Sequence, residues 1–173
     1  MGKTAFIREL SAVDCAVIAQ AFADQRWHKP QTQFEKYFQE QRDDKRVVLI
    51  AEVGNIFAGY LTILWESHYP PFKQAEIPEI VDFNVLIKFQ RQGIGTALMD
   101  EAEKRVASRS DVVGIGVGLT ADYGAAQIMY VKRGYIPDGR GLSQNGRFLQ
   151  YEDTPTVDDN LILCFMKKLP QTH

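Results

Sequence analysis

Cysteine is scarce in this chain: Cys15 and Cys164 are the only two, far apart and each inside an apolar segment. Free cysteine is among the most buried residue types, so two buried thiols are expected rather than a disulfide or a nucleophile. Histidine is nearly as rare. His28, His68 and His173 include no pair at the spacing of a helical or finger metal site, and no metal is expected. No apolar run approaches the roughly 18 to 20 residues that span a bilayer. The start Met1-Gly2-Lys3-Thr4-Ala5-Phe6 lacks the apolar core of a signal peptide. A cytoplasmic protein without a membrane partner is therefore expected. Charge of one sign is missing as well: 20 Lys and Arg stand against 22 Asp and Glu, a formal net charge of −2. That balance argues against the strongly basic surface of a nucleic-acid binder.

What is present is the make-up of an ordinary globular domain, 173 residues with 45% hydrophobic and 24% charged. Such a length buries roughly 68 to 70% of the unfolded surface, and one domain over residues 1–173 is expected. Ala5 to Leu10 reads as a strand. Ser11 with Asp14 three residues on is a capping-box-like start for a helix to about Ala23, with Val13, Val17, Ile18, Ala21 and Phe22 on one apolar face. Trp27 to Pro30 breaks it, and Gln33 to Gln41 reads as a second, more polar helix. The β-branched run Arg46 to Val53, the turn Gly54-Asn55 and the run Ile56 to Trp65 make a hairpin. Glu66 to Pro78 reads as a loop and Glu79 to Leu86 as the next strand.

After Gly95, Ala97, Leu98, Ala102 and Val106 mark a helix face, with Asp100/Lys104 and Glu101/Arg105 as i,i+4 pairs on the solvent side. Asp111 to Leu119 is a strand, Gly124 to Arg133 a short helix stopped by Gly134, Asp138 to Gly146 a glycine-rich turn region, and Leu161 to Met166 a last strand. The order β-α-α-β-β-β-α-β-α-β-β is mixed α/β rather than doubly wound.

The segment Gln90-Arg91-Gln92-Gly93-Ile94-Gly95 joins a strand directly to a good helix. Such a junction gathers backbone N–H groups beside the positive end of a helix dipole, which is an anion site. Glycine at 93 and 95 lets phosphate oxygens approach the main chain, and Arg91 can add a charge-assisted contact. The chain has no Gly-x-x-x-x-Gly-Lys-Ser/Thr, and Gly93-x-Gly95 lacks the third glycine of the dinucleotide fingerprint. Nucleotide hydrolysis and hydride transfer are thereby disfavoured.

The run Val85 to Met99, containing Gln90-Arg91-Gln92-Gly93-Ile94-Gly95, resembles motif A of the GNAT superfamily of acetyl-coenzyme A dependent N-acetyltransferases, whose signature is Arg/Gln-x-x-Gly-x-Gly/Ala. About thirty residues later, Ala126-Gln127-Ile128-Met129-Tyr130-Val131-Lys132-Arg133-Gly134-Tyr135 resembles its motif B, Ala-x-x-Leu-Tyr-x-x-x-Gly-Phe. The resemblance implies an α/β (α+β) fold: a mixed, largely antiparallel sheet of about six or seven strands flanked by about four helices, with one strand splayed at the acetyl-CoA site. It also implies acetyl-CoA as cosubstrate and no metal.

On matching positions, the backbone of Val85, Leu86 and Ile87 would meet the pantetheine arm, with Val85 and Ile87 supplying the exposed groups. Gln90, Arg91, Gln92, Gly93, Ile94, Gly95 and Thr96 would hold the pyrophosphate. Tyr130 matches the tyrosine that often protonates the departing thiolate. Tyr123 stands where many members carry an asparagine that contacts the cofactor.

An alkyl amine with pKa near ~10.4 must lose a proton before it attacks a thioester. Glu79 resembles the base glutamate of the histone acetyltransferase branch, and Asp82 matches an acidic position in polyamine acetyltransferases. Because side chains alternate along a strand, the two face the same way only if a bulge intervenes. Val85 N–H is the expected donor to charge developing on the thioester oxygen. The loops Trp27 to Gln33 and Glu66 to Pro78, with the segment Phe148 to Asp159, should choose the acceptor. Glu76, Glu152, Asp153, Asp158 and Asp159 can attract a cationic amine there, and Trp27, Trp65, Tyr69 and Tyr151 can wall a pocket. A small-molecule amine is the expected acceptor, with a protein or peptide amine, or a catalytically weak acyl-CoA-binding module, as alternatives. A homodimer through Leu161 to Met166 is possible on the family pattern.

Overall fold

The structure is a computed structural model that describes residues 5–170. His173 and Met1 to Thr4, on which two sequence expectations rest, lie outside the described residues. In chain order the elements are β1 (Phe6–Glu9), α1 (Asp14–Asp24), α2 (Gln31–Arg42), β2 (Arg46–Val53), β3 (Ile56–Leu64), α3 (Pro70–Gln74), β4 (Glu79–Val85), α4 (Ile94–Ala107), β5 (Val112–Gly118), α5 (Gly124–Lys132), β6 (Ile136–Gln144), β7 (Arg147–Phe148) and β8 (Leu161–Lys168). Among the described residues eight strands form one sheet in the order β1-β2-β3-β4-β5-β8-β6-β7, in which only β4 and β5 run parallel. This is the mixed, largely antiparallel α+β architecture expected, with one more strand and one more helix than the upper sequence estimate.

The hairpin β2–β3 is buried along nearly its whole length because helices cover both of its faces. On one face, Leu98, Met99, Ala102 and Val106 of α4 pack on Leu49, Leu61, Ile63, Ile80 and Ile115. On the other, Ile18 and Phe22 of α1 and Phe34 of α2 pack on Val48, Ile50 and Tyr60. The start of α1 is fixed by Asp14, which accepts from Ser11 N–H and Oγ–H and from both terminal nitrogens of Arg8.

Two segments differ from expectation. The loop Glu66 to Pro78 contains α3, which opens on Pro70 and Pro71 and is too short to show a period; its Phe72 lies under Gly114, where a Cβ would come within 2.3 Å of the ring. The glycine-rich turn region is instead most of strand β6, paired to β8 with a register shift between Pro137 and Leu142. Asn145 and Gly146, with φ of 50° and 78°, turn it back into β7, as a two-residue hairpin turn requires.

Candidate active site

β4 pairs with β5 only at Glu79↔Gly114 and Ile80↔Ile115, and beyond these two residues the strands diverge. A wedge therefore opens along the rest of β4. Leu86 N–H donates to the Ala58 carbonyl at 2.9 Å, so by alternation Val85 N–H points away from β3, to the side that β5 has left. The carbonyl of Val85 accepts from Gln90 Nε2 at 3.2 Å, which ties the following loop back to the strand. Leu86 itself is core, in the cluster under α1. Ile87 sits in a single 3-10 turn with its side chain 65% exposed, and its N–H is engaged by Gln25 Oε1 at 3.1 Å.

The loop then turns through two left-handed residues, Arg91 (φ 59°) and Gly93 (φ 81°), the second of which is the N-cap of α4. No described side chain caps this helix. Its first internal bond runs from Ala97 N–H to Gly93 O, which leaves the N–H groups of Ile94, Gly95 and Thr96 without a helical acceptor. The Gln92 side chain folds back onto the Lys88 carbonyl. Backbone, not glutamine side chains, thus forms the concave surface. Phe83 and Val85 form its floor, since a Cβ on Gly95 would lie 3.2 Å from the Phe83 ring and 3.9 Å from a Val85 methyl.

The two candidate carboxylates are on one face of the sheet. Val81 pairs with Thr62 but Asn84 pairs with Tyr60, so two β4 residues stand against Leu61 alone; Asp82, at φ 50°, is the bulged one. Their surroundings differ. Glu79 is 6% exposed and accepts a hydrogen bond from Ser67 Oγ, which in turn accepts from Tyr69 N–H at 2.9 Å. Burial pushes the Glu79 carboxyl above the usual carboxylate range, with the Ser67 bond opposing that shift. Asp82 receives five donors: Lys29 Nζ at 3.0 Å and Asn84 Nδ2 at 2.8 Å on one oxygen, and Gln33 Nε2 at 2.9 Å, Tyr37 OH at 3.1 Å and Tyr60 OH at 2.6 Å on the other. Burial first, then the Asp82 charge, pushes the Tyr37 hydroxyl up to about 12.

Across the wedge, the Tyr123 ring lies over Gly118 at the end of β5, where a Cβ would approach it to 2.5 Å, and its hydroxyl donates to Asp159 at 3.0 Å. The Gly118 carbonyl accepts from Gln127 Nε2. Tyr130 is 4% exposed and packs at 5.9 Å from Tyr135, whose buried hydroxyl has no hydrogen-bond partner among the described residues. Burial, and next the nearby Tyr123, raise its pKa. A groove of about 1010 Å³ between α1, the β2–β3 turn and Leu86 to Lys88 lies outside the wedge, for none of its lining comes from β5.

The structure therefore brings the Gln90 to Thr96 loop, Val85 and the two carboxylates onto β4 and its continuation, and sets Tyr123 on the facing wall. It separates Ile87, whose amide is already bonded. Ser67, Lys29 and Gln33 fall inside the segments expected to choose the acceptor, whereas Tyr37, Tyr60 and Asn84 lie outside them. Only Gln33 and Tyr37, one turn apart on α2, leave any local trace.

The family model described as the acetyltransferase (GNAT) family matches residues 15–135. No curated protein matches the chain in sequence. Among solved structures, the ribosomal-protein-alanine N-acetyltransferase of Brucella melitensis is 18% identical with a TM-score of 0.68, over 95% of this chain and 99% of that one. The putative acetyltransferase yncA of Salmonella typhimurium, solved with its cofactor acetyl-CoA, is 15% identical with a TM-score of 0.68, over 97% of this chain and 95% of that one. Ard1 of Thermoplasma volcanium is 19% identical with a TM-score of 0.69, over 96% and 98%.

Proposed function

The chain belongs to the GNAT acetyltransferase family and is an acyltransferase, and we propose that it moves an acetyl group from acetyl-CoA to the primary amine of a small molecule, by direct attack in a ternary complex. The observation that carries this reading is the wedge itself. Beyond Ile80, β4 has no strand on its β5 side among the described residues, and it leads straight to the uncapped start of α4. These residues fit the cosubstrate: Val85 N–H offers a strand-like partner to an amide-bearing arm. The amides of Ile94, Gly95 and Thr96 offer donors to phosphate oxygens at a helix N-terminus. Gly93 adds open space, with no described residue other than its chain neighbours within 4 Å of where a Cβ would stand. The Ile87 amide joins only if Gln25 releases it. When bound, acetyl-CoA supplies an activated thioester carbonyl.

The chain's own groups supply proton handling and charge. Glu79, buried and with its carboxyl pushed upward by that burial, takes the proton from the acceptor ammonium, directly or through water. Tyr130, kept protonated by its burial, gives its proton to the departing sulfur and regains one from solvent after product release. Val85 N–H meets negative charge on the carbonyl oxygen. Asp82 is the weaker base candidate, because both of its oxygens are occupied by donors.

Support for a small acceptor comes from the walls on the acceptor side. Lys29 ties the α1–α2 segment to β4, and Asp159 is tied to Tyr123, so both walls are drawn towards the wedge. The rival is a protein N-terminus or lysine, an acceptor type that the Brucella relative's name carries. No described helix is long and apolar enough to cross a membrane, and a cytoplasmic location belongs to this reading. A thiol-release screen across polyamines, aminoglycosides, amino acids and peptides tests it. Turnover with a small amine supports it, turnover with peptides alone gives the rival, and acetyl-CoA binding without turnover on any amine leaves a binding module.

A further inference from the structure

The bulge in β4 shapes the wedge. It returns Asp82 to the face of Glu79 and puts Phe83 and Val85 on the α4 side, against Gly95. The bulged residue is not glycine, and φ of 50° is unfavourable for most residues with a Cβ, though least so for Asn and Asp. Something must hold it. The Asp82 carboxylate is gripped from four elements at once: the α1–α2 segment through Lys29, α2 through Gln33 and Tyr37, β3 through Tyr60, and β4 itself through Asn84. Lys29 is in turn held in place. Its side chain is 11% exposed, and its ammonium lies 5.0 to 5.5 Å from the ring centres of Phe22, Trp27 and Tyr60. A carboxylate has about four lone-pair sites, and five donors fill them.

We propose that Asp82 is a positioning residue: its carboxylate, with Lys29 as counter-ion, locks the left-handed bulge that aims Val85 N–H into the wedge. This rests on the acetyl-transfer reading above. Asp82 touches no reacting atom and takes no proton.

Three replacements separate this role from that of a base. Asparagine tolerates the left-handed conformation and keeps one acceptor oxygen. Glycine adopts the conformation freely but has no tether, and alanine has neither advantage. kcat/KM should fall in the order wild type, Asp82→Asn, Asp82→Gly, Asp82→Ala. The last should be down roughly 10²-fold, the cost of about an ångström of misplacement. The acid limb of the kcat profile should keep its position in all three. Lys29→Met, which keeps the stem among the rings, should lower kcat/KM in the wild-type background and change little beside Asp82→Ala.

A readout without turnover accompanies these. Amide hydrogen exchange at residues 83–86 should quicken in the same order, with melting curves showing that each variant is folded. If Asp82→Ala does not fold, the asparagine and glycine variants carry the comparison. Equal loss in all folded variants, or disappearance of the acid limb, overturns the proposal. Failure of the wild type to bind acetyl-CoA would instead sink the acetyl-transfer reading, while the exchange order would still report on the bulge.

Discussion

Glu79 and Asp82 project from the same face of β4 although they are three residues apart, because the bulge at Asp82 cancels one alternation. Shared orientation does not give them a shared chemistry. Glu79 is sealed beneath Ser67 with a single side-chain donor, whereas Asp82 lies in a ring of donors that leaves it no free oxygen. The two carboxylates therefore respond differently to substitution.

Glu79→Gln keeps an oxygen to accept from Ser67 and removes the proton acceptor. Turnover should fall by roughly 10² to 10⁴, the usual contribution of a positioned base. The acid limb of kcat against pH should vanish with it. An unchanged limb would remove Glu79 from the mechanism.

The same carboxyl ties stability to pH. Its folded-state pKa is raised above the unfolded value, so between the two the folded chain binds more protons and stability falls as pH rises. The window opens at the ordinary carboxylate value of 4.5 and runs upward to the raised one. Glu79→Gln should therefore gain in melting temperature over wild type as pH increases through that window, and match it most closely on the acid side. Differential scanning fluorimetry across pH checks the sign.

Tyr130→Phe removes only the hydroxyl and leaves the ring in the core. Turnover should drop while the acetyl-CoA dissociation constant stays nearly unchanged. Steady-state kinetics with a parallel titration separates the two, and unaltered turnover would refute the acid role.

Gly118→Ala drives a Cβ into the Tyr123 ring, 2.5 Å away, so the ring must leave and its bond to Asp159 must break. Overpacking of this kind costs about 1 to 3 kcal/mol. Tyr123→Phe keeps the ring and loses only the hydrogen bond, roughly 0.5 to 1.5 kcal/mol. Both should raise KM for the acceptor, because the segment carrying Asp159 is released. Chemical denaturation gives the stability order, and initial rates at saturating acetyl-CoA give KM.

Much of the fold is legible because its signals are local. The hairpin β2–β3 declares itself in β-branched runs around Gly54-Asn55. Helix α4 shows its apolar period, and the glycines of Gln90 to Gly95 mark a junction whose uncapped amides the structure displays. What escaped depends on partners distant in sequence. The five residues of α3 span little more than one turn, too few to repeat an apolar period, and β6 is disguised by the glycines of its own register shift. The bulge at Asp82 has no glycine to announce it, and the groups that hold it come from positions 29, 33, 37, 60 and 84. The use of the Ile87 amide by Gln25 is equally invisible, since a backbone group carries no sequence signal.

The most direct test of the central claim is calorimetric titration of the full chain with acetyl-CoA. Saturable one-site binding is expected, weakened when Gly93, at φ 81°, is replaced by alanine. No heat of binding at millimolar ligand would contradict it.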